Sequence, residues 1–276
     1  MDRSTAVLIT GCSSGIGRAS ALELVSAGYP VWATARNPSQ LEDLAEAGCR
    51  VLELDVTDEE SRRHAVKTIE AEHGAVGALV NNAGYAQAGP VEEVPLDQVR
   101  RQFETNVFGP VRLCQLVLPG MRAQRFGTIV NVGSAGGLMS MPASSAYDMT
   151  KWSLETLSDA LRWEVHGFGI RVSLLEPGGV ATSFTGVQTG GWPATGGPYD
   201  RLRESHRELV SRFSREGAPG ILTPHQVARV VAKAVTARRP RTRYRIGMTS
   251  RILPRLYRLL PDRAWDWFTG RMFSMD

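Results

Sequence analysis

The sequence predicts an α/β protein of the doubly wound class: a parallel sheet of about seven strands with helices on both faces. Three observations predict it. Short apolar runs alternate with longer segments of helical period along most of the chain. The runs are continuously apolar rather than alternating, as strands covered on both faces must be. The first run leads straight into a turn with three glycines, "LITGCSSGIGRA" at 8–19, which opens a helix.

The strands read in order as AVLIT (6–10), PVWATA (30–35), RVLEL (50–54), ALVNN (78–82), GTIVNV (127–132) and IRVSLLE (170–176), with a last strand at 242–247. Helical patterns lie between them. In 58–73, Asp58 is placed to cap while Val66 and Ile69 share a face. A second helix covers 97–122. A third covers 146–166, with Met149, Trp152, Leu157, Leu161 and Val165 read as its apolar stripe. Strand and helix in alternation imply right-handed crossovers, with the ligand beyond the carboxyl ends of the strands. Regular order breaks after Pro177. Residues 183–223 hold "TGGWPATGGP" and then a polar helix-like piece, and read as a lid over the substrate. A helix follows at 224–237, and 250–274 reads as two short helices separated at Pro261. The chain is thus expected to be one domain, 1–276. Its core is 5–182 and 224–248, its lid 183–223 and its helical extension 249–276.

Composition narrows the class. The chain has 276 residues, 42% hydrophobic and 22% charged, enough to bury a core without disulfide staples. Cys12, Cys49 and Cys114 show no paired spacing, so reduced thiols, no metal site and a cytoplasmic location are expected. No signal peptide and no membrane span is read. The net charge of +4 collects late in the chain, in "RRPRTRYR" (238–245) and in Arg251, Arg255, Arg258, Arg263 and Arg271. So little lysine in a tail of this kind argues against nucleic acid as the partner.

Gly11, Gly15 and Gly17 follow the first strand and open the next helix. A helix N-terminus offers unpaired N–H groups and a positive dipole end, which suit phosphate. Gly11 permits the tight turn, Gly15 lets backbone approach a pyrophosphate, and Gly17 lets the helix pack closely on the strand. Ser13, Ser14 and Ile16 lie in the same loop as further candidate cofactor contacts. The spacing is neither Gly-x-Gly-x-x-Gly nor a P-loop, because no lysine follows. The second strand ends "ATARNP", with Arg36 and no acid between Val31 and Glu42. A guanidinium there suits a 2′-phosphate, so the cofactor is read as NADP(H).

"SSAYDMTKWSLETL" opens the helix at 146–166, with Ser145 and Asp148 read as a capping box. Tyr147 and Lys151 are four apart and share one face. Ser134 lies just beyond the fifth strand, at the same edge of the sheet. An unaided tyrosine titrates near pH 10. A lysine cation about 4 Å away, at an effective dielectric of about 20, favours the phenolate by up to roughly 4 kcal/mol.

With these residues in hand, the sequence resembles the short-chain dehydrogenase/reductase family, in its single-domain branch. The matching pieces are "TGCSSGIG" (10–17), "DVTD" (55–58), "NNAG" (81–84), "NVFG" (106–109), Ser134, "YDMTK" (147–151) and "PGGVAT" (177–182). They stand in family order over about residues 5 to 185. The resemblance implies a Rossmann fold and the tetrad Asn106, Ser134, Tyr147 and Lys151. It places Asp55 and Val56 near the adenine, and Asn82, Ala83 and Gly84 along the cofactor. Pro177, Val180 and Thr182 fall around the nicotinamide amide. It gives Lys151 a second task, holding the ribose hydroxyls, and Asn106 the anchoring of a relay water. Thr150 and Trp152 depart from the commoner residues at their positions. A looser similarity points to the 17β-hydroxysteroid and retinol dehydrogenases.

The function expected is interconversion of a ketone and a secondary alcohol, on a bulky hydrophobic substrate of steroid, retinoid or polyketide kind. Two alternatives are a 3-oxoacyl thioester reductase and a non-catalytic NADP-binding regulator. Such a regulator should lack the Tyr–Lys pair, which this chain keeps. The family implies a homodimer or homotetramer through the helices at 97–122 and 146–166, whose flanks carry Val117, Leu118 and Trp163. In the extension, Leu256, Leu259 and Leu260 are read as one apolar side bordered by Arg255 and Arg258. This segment suits a cap over the pocket, and also weak contact with a membrane surface or a second subunit.

Overall fold

The computed structural model describes residues 3–182, 196–214 and 217–273. Among them seven parallel strands form one sheet: β1 (Val7–Ile9), β2 (Val31–Ala35), β3 (Arg50–Glu53), β4 (Ala78–Asn81), β5 (Gly127–Val132), β6 (Ile170–Pro177) and β7 (Arg243–Ile246). Their spatial order is β3-β2-β1-β4-β5-β6-β7. Val7 pairs with Val31 on one side and Ala78 on the other, so the winding reverses between β1 and β4. Ligands bind at such a reversal, beyond the carboxyl ends.

The helices are α1 (Gly15–Ser26), α2 (Glu42–Glu46), α3 (Glu59–His73), α4 (Leu96–Phe103), α5 (Gly109–Ala123), α6 (Ser145–Glu164), α7 (Asp200–Ser214), α8 (Pro224–Thr236), α9 (Met248–Leu259) and α10 (Asp262–Met272). Successive strand side chains point to opposite faces, and both faces are covered. Val7 and Ile9 pack with Leu24 of α1, Leu44 of α2 and Val231 of α8. Leu8 packs with Ile69 of α3, Leu113 and Val117 of α5, and Leu161 of α6. This double burial is why the strands carry no polar alternation. Local signals close the helices as expected in two places. The Asp58 carboxylate accepts from Ser61 N at 2.7 Å. Thr223 and Gln226 form a reciprocal capping box ahead of Pro224.

Four expectations need correction. The segment 97–122 is not one regular helix: a π turn, Glu104–Phe108, separates α4 from α5. There the chain presses on the loop after β3. A methyl group on Gly109 would sit 2.8 Å from the Val56 carbonyl. The apolar stripe of α6 is also different. Met149 and Trp152 face outward, while Lys151, Leu154, Glu155, Ser158 and Leu161 face inward. Arg243 of β7 pairs with Glu155 and Asp159 of α6 and with Glu176 of β6, so charge rather than apolar contact fills part of that interface.

The capping box at the start of α6 does not form. Ser145 is already helical, the preceding Ser144 makes no side-chain cap, and the Asp148 carboxylate accepts instead from Met141 N at 3.0 Å. In the extension, Leu253, Tyr257 and Leu260 are the inward side of α9, packing with Trp265 of α10. Leu256 and Leu259 lie outside. Of the lid, 183–195 falls outside the described residues, and its polar helix is α7.

Candidate functional site

A cleft of about 1110 Å³ opens beyond the carboxyl ends of the strands, with walls supplied by the loops after β1 to β6. Every site residue singled out in the sequence lines it except Gly17 and Asn106.

The floor is built by Thr10. Its hydroxyl oxygen accepts from Asn82 N at 3.0 Å and Ala83 N at 2.9 Å, tying the loop after β4 to the end of β1. Asn82 answers by donating Nδ2 to the carbonyls of Thr10 and Gly11. Gly17 leaves room for this bridge: a methyl group there would lie 2.4 Å from both Asn82 Nδ2 and the Gly11 carbonyl. Its task is therefore to admit Asn82, more specific than the helix–strand packing expected. Gly11 and Gly15 hold φ of +71° and +59°, the left-handed region glycine tolerates.

α1 begins at Gly15 with no acidic residue in its first turn. Its positive end therefore faces the cleft without an internal counter-charge. That end and the glycine cradle fit the pyrophosphate of a dinucleotide. Arg36, exposed at the end of β2, lines the cleft beside them. The Asp55 carboxylate is held in a turn, accepting from Thr57 N at 2.9 Å and Thr57 Oγ1 at 2.8 Å.

Tyr147 and Lys151 rise from the first turns of α6, and Ser134 from the end of β5. The Ser134 and Tyr147 hydroxyls are hydrogen-bonded, which lowers the phenol's pKa, but desolvation at this wall outweighs that and pushes it up. Part of the Tyr147 side chain still faces the cleft. Lys151 is buried. Its Nζ donates to the Val132 carbonyl at 2.9 Å and stands 5.5 Å from the centre of the Tyr147 ring. Burial brings this ammonium down to about 8. The lysine is thus close enough to act on the phenol, whose burial holds its proton.

Asn106 lies in the π turn, buried. Its Nδ2 donates to the Tyr85 carbonyl at 2.9 Å and to Thr150 Oγ1 at 3.1 Å, and its Oδ1 accepts from Tyr85 N at 3.1 Å. Thr150 in turn donates to the Tyr147 carbonyl at 2.7 Å. Asn106 therefore ties the loop after β4 to the helix that carries Tyr147 and Lys151.

Two residues to which the sequence reading gives no place in the cleft stand in its wall. Asp148 is buried beside Tyr147, and burial raises its carboxyl to about 7. His206 of α7 is buried, stacks on Phe273 at 6.4 Å, and burial lowers it to about 4, so it is neutral at pH 7. "YDMTK" shows Asp148 as a helix-start acid, and only the fold of 135–141 over it reveals the burial. Nothing local to His206 signals its place.

Beyond Tyr147 the cleft turns apolar, with Met139, Met141, Leu209, Leu253, Met272 and Phe273 in its wall. Tyr199 donates to Glu92 Oε2 at 2.6 Å, and Arg203 of α7, the helix that brings His206 and Leu209 to the cleft, pairs with Glu93 and Asp200.

Residues 5–190 match the family model of the short chain dehydrogenases. The chain belongs to that family. Short-chain dehydrogenases are oxidoreductases that use a nicotinamide cofactor. It is 36% identical over 249 residues to a 3-ketodihydrosphingosine reductase of Bacteroides thetaiotaomicron, covering 90% of this chain and 89% of that one. It is 36% identical over 266 residues to estradiol 17-beta-dehydrogenase 1 of Rattus norvegicus, covering 91% and 75%. A solved short-chain dehydrogenase from Streptomyces avermitilis superposes with a TM-score of 0.81 at 34% identity, covering 98% and 96%. A serine dehydrogenase complexed with NADP+ superposes at 0.76 with 27% identity, covering 88% and 94%. A relative from Burkholderia phymatum in complex with NAD superposes at 0.76 with 25% identity, covering 94% and 92%. Among the described residues no helix is long and apolar enough to cross a membrane, and Cys12, Cys49 and Cys114 are free and buried.

Proposed function

We propose that this short-chain dehydrogenase interconverts a ketone and a secondary alcohol on a bulky, hydrophobic substrate with NADP(H). The observation that carries the reading is the continuity of one cleft. It runs from the glycine cradle past Ser134 and Tyr147 to the apolar wall of Met139, Leu253 and Phe273. A bound nicotinamide dinucleotide supplies or takes up the hydride at the carbonyl carbon. Tyr147 gives its proton to the carbonyl oxygen, so that the alcohol is neutral. Ser134 donates a hydrogen bond to that oxygen as negative charge develops. Lys151 favours the phenolate left behind and holds the ribose hydroxyls. Asn106 acts through Thr150 and Tyr85, as a positioning residue for this group. Arg36 supports the phosphorylated cofactor, and relatives binding either cofactor leave that to a direct test.

The C-terminal extension caps the cleft in this reading, with Leu253, Met272 and Phe273 turned into it. The named relatives act on a long-chain ketone and on a steroid, and both suit a wall of this kind. An acyl thioester reductase needs the same tetrad, but six apolar side chains in the cleft wall favour a bulky apolar substrate. The protein is expected to work as a homodimer or homotetramer in the cytoplasm, where its reduced cysteines belong. Phe108, Met149, Trp152 and Trp163 supply exposed apolar surface on and beside α5 and α6. Val117 does not, being wholly buried in the core. The test is turnover, followed by nicotinamide absorbance, of long-chain ketones, steroids, retinoids and 3-oxoacyl thioesters with each cofactor. Activity confined to NADPH and to the bulky ketones supports the reading. Activity with thioesters alone overturns its substrate half, and equal use of NADH overturns its cofactor half.

A further inference from the structure

α9 has two working faces. Leu253 and Thr249 line the cleft. The outward face is divided in a way core packing does not explain. Met248, Ile252, Leu256 and Leu259 are all exposed, Leu259 at 80%. At about 100° per residue these four share one edge of the exposed arc, and Arg251, Arg255 and Arg258 share the adjoining edge. From Arg243 to Pro261 the sequence holds no aspartate or glutamate. Among the described residues no acid pairs with Arg251, Arg255 or Arg258. α10 adds an exposed Trp267 with the Arg271 guanidinium 5.3 Å from its ring centre.

We propose that α9 docks this protein on an anionic lipid surface, its apolar edge in the headgroup–acyl boundary and its arginines against the lipid phosphates. Charge decides the occupant. A two-fold contact between α9 helices of two copies would bring six arginines together with no acid in either segment to offset them. An anionic bilayer supplies both the negative charge and the apolar depth, which is how an amphipathic helix binds at an interface. Because the same helix lines the cleft, docking would hold the substrate mouth at the membrane. The docking itself does not depend on which carbonyl the site reduces, so its failure and that of the catalytic reading are separable.

The experiment is co-sedimentation of the full chain with vesicles of phosphatidylcholine alone and of phosphatidylcholine with a third phosphatidylglycerol. The anionic vesicles should bind the protein and the neutral ones should not, and high salt should release it. Each arginine near such a surface contributes about fivefold in affinity, so the double change Arg255→Glu, Arg258→Glu should lower binding more than tenfold. The double change Ile252→Ser, Leu259→Ser should lower it by about tenfold through lost apolar burial. Neither pair lines the cleft, so turnover of a soluble substrate should stay unchanged in both. Equal binding to both vesicles, no binding to either, or binding that survives both variants overturns the proposal. So does sedimentation showing that the same variants split an oligomer, which would make this face a contact between copies.

Discussion

The two halves of the cleft, proposed to take the cofactor and the substrate, are held together by different physics. Around the glycine loop the restraints are short polar bonds from side chain to backbone: Thr10 to Asn82 and Ala83, Asn82 to Gly11, Lys151 to Val132. Each has one satisfactory geometry, and losing one strands a partly buried donor. At the far end the restraints are an apolar cluster of Met139, Trp265 and Leu253 and, on α7, the Arg203–Glu93 pair. Methionine-rich contacts repack at little cost, whereas the Arg203–Glu93 pair is largely buried and ties α7 to the segment after β4. In the proposed reading, the half that carries the reaction is fixed by polar bonds, while the apolar wall is the part free to repack.

Substitutions in each half sharpen this contrast, and the largest effect belongs to the reaction itself. Tyr147→Phe should lower kcat by about a thousandfold or more, with cofactor affinity close to unchanged. Steady-state kinetics beside cofactor titration check it, and retention of a tenth of the activity would remove Tyr147 as the proton donor. Arg36→Ala should weaken NADP binding about 10- to 150-fold. NAD binding should stay nearly unchanged, and an equal loss for both would take the 2′-phosphate away from Arg36. Thr10→Val replaces a hydroxyl that accepts two backbone N–H bonds, and should cost about 2–4 kcal/mol in denaturant unfolding. A cost below about 0.5 kcal/mol would break the claim that the cradle is rigid because of these bonds.

Acidity supplies the next. The folded state raises Asp148 to about 7, above its ordinary carboxylate value. The folded chain therefore holds that proton more tightly than the unfolded one. The stability this gives is fully present below the ordinary carboxylate range and is lost as pH rises through about 7, by up to about 4 kcal/mol. Asp148→Asn keeps an acceptor for Met141 N without the charge. Its melting temperature should exceed the parent's at pH 8 and match it at pH 5. Identical pH curves would show that the carboxyl is not desolvated. The smallest effect on turnover belongs to α7. Glu93→Gln takes the charge from the partner of a buried guanidinium, and by loosening α7 should raise KM for bulky ketones about two- to fivefold while leaving cofactor affinity alone. A larger effect on cofactor binding than on KM would mean the two halves are coupled.

The strands were the most legible part of the chain, because both faces of the sheet are covered and each strand is continuously apolar. α6 was misread for the opposite reason. Its inner side carries Lys151, Glu155 and Ser158, while Met149 and Trp152 point out, so hydrophobicity there marks the wrong face. The π turn was hidden because it leaves the helical period almost intact, and only the approach of Gly109 to Val56 betrays it. The glycine, asparagine and tyrosine motifs drew attention to the residues of the cradle, which the fold then gathers into one cleft. The bridging role of Thr10 and the burial of Asp148 and His206 are not legible locally, because they rest on distant partners. Thr10 meets Asn82 and Asp148 meets the loop at Met141, and no local pattern encodes either meeting.

The order β3-β2-β1-β4 has a consequence for how the chain is made. β1 leaves the ribosome first, yet it ends near the middle of the sheet, between β2 and a strand synthesised much later. Until Ala78–Asn81 emerges, Val7–Ile9, whose side chains are all apolar, has one edge of unpaired backbone N–H and C=O groups. Parallel pairing between distant segments is slow to form, and an unpaired edge is a template for association between nascent chains. Early synthesis is therefore the interval in which this protein most needs a holdase chaperone, and a chain truncated before β4 should aggregate rather than fold.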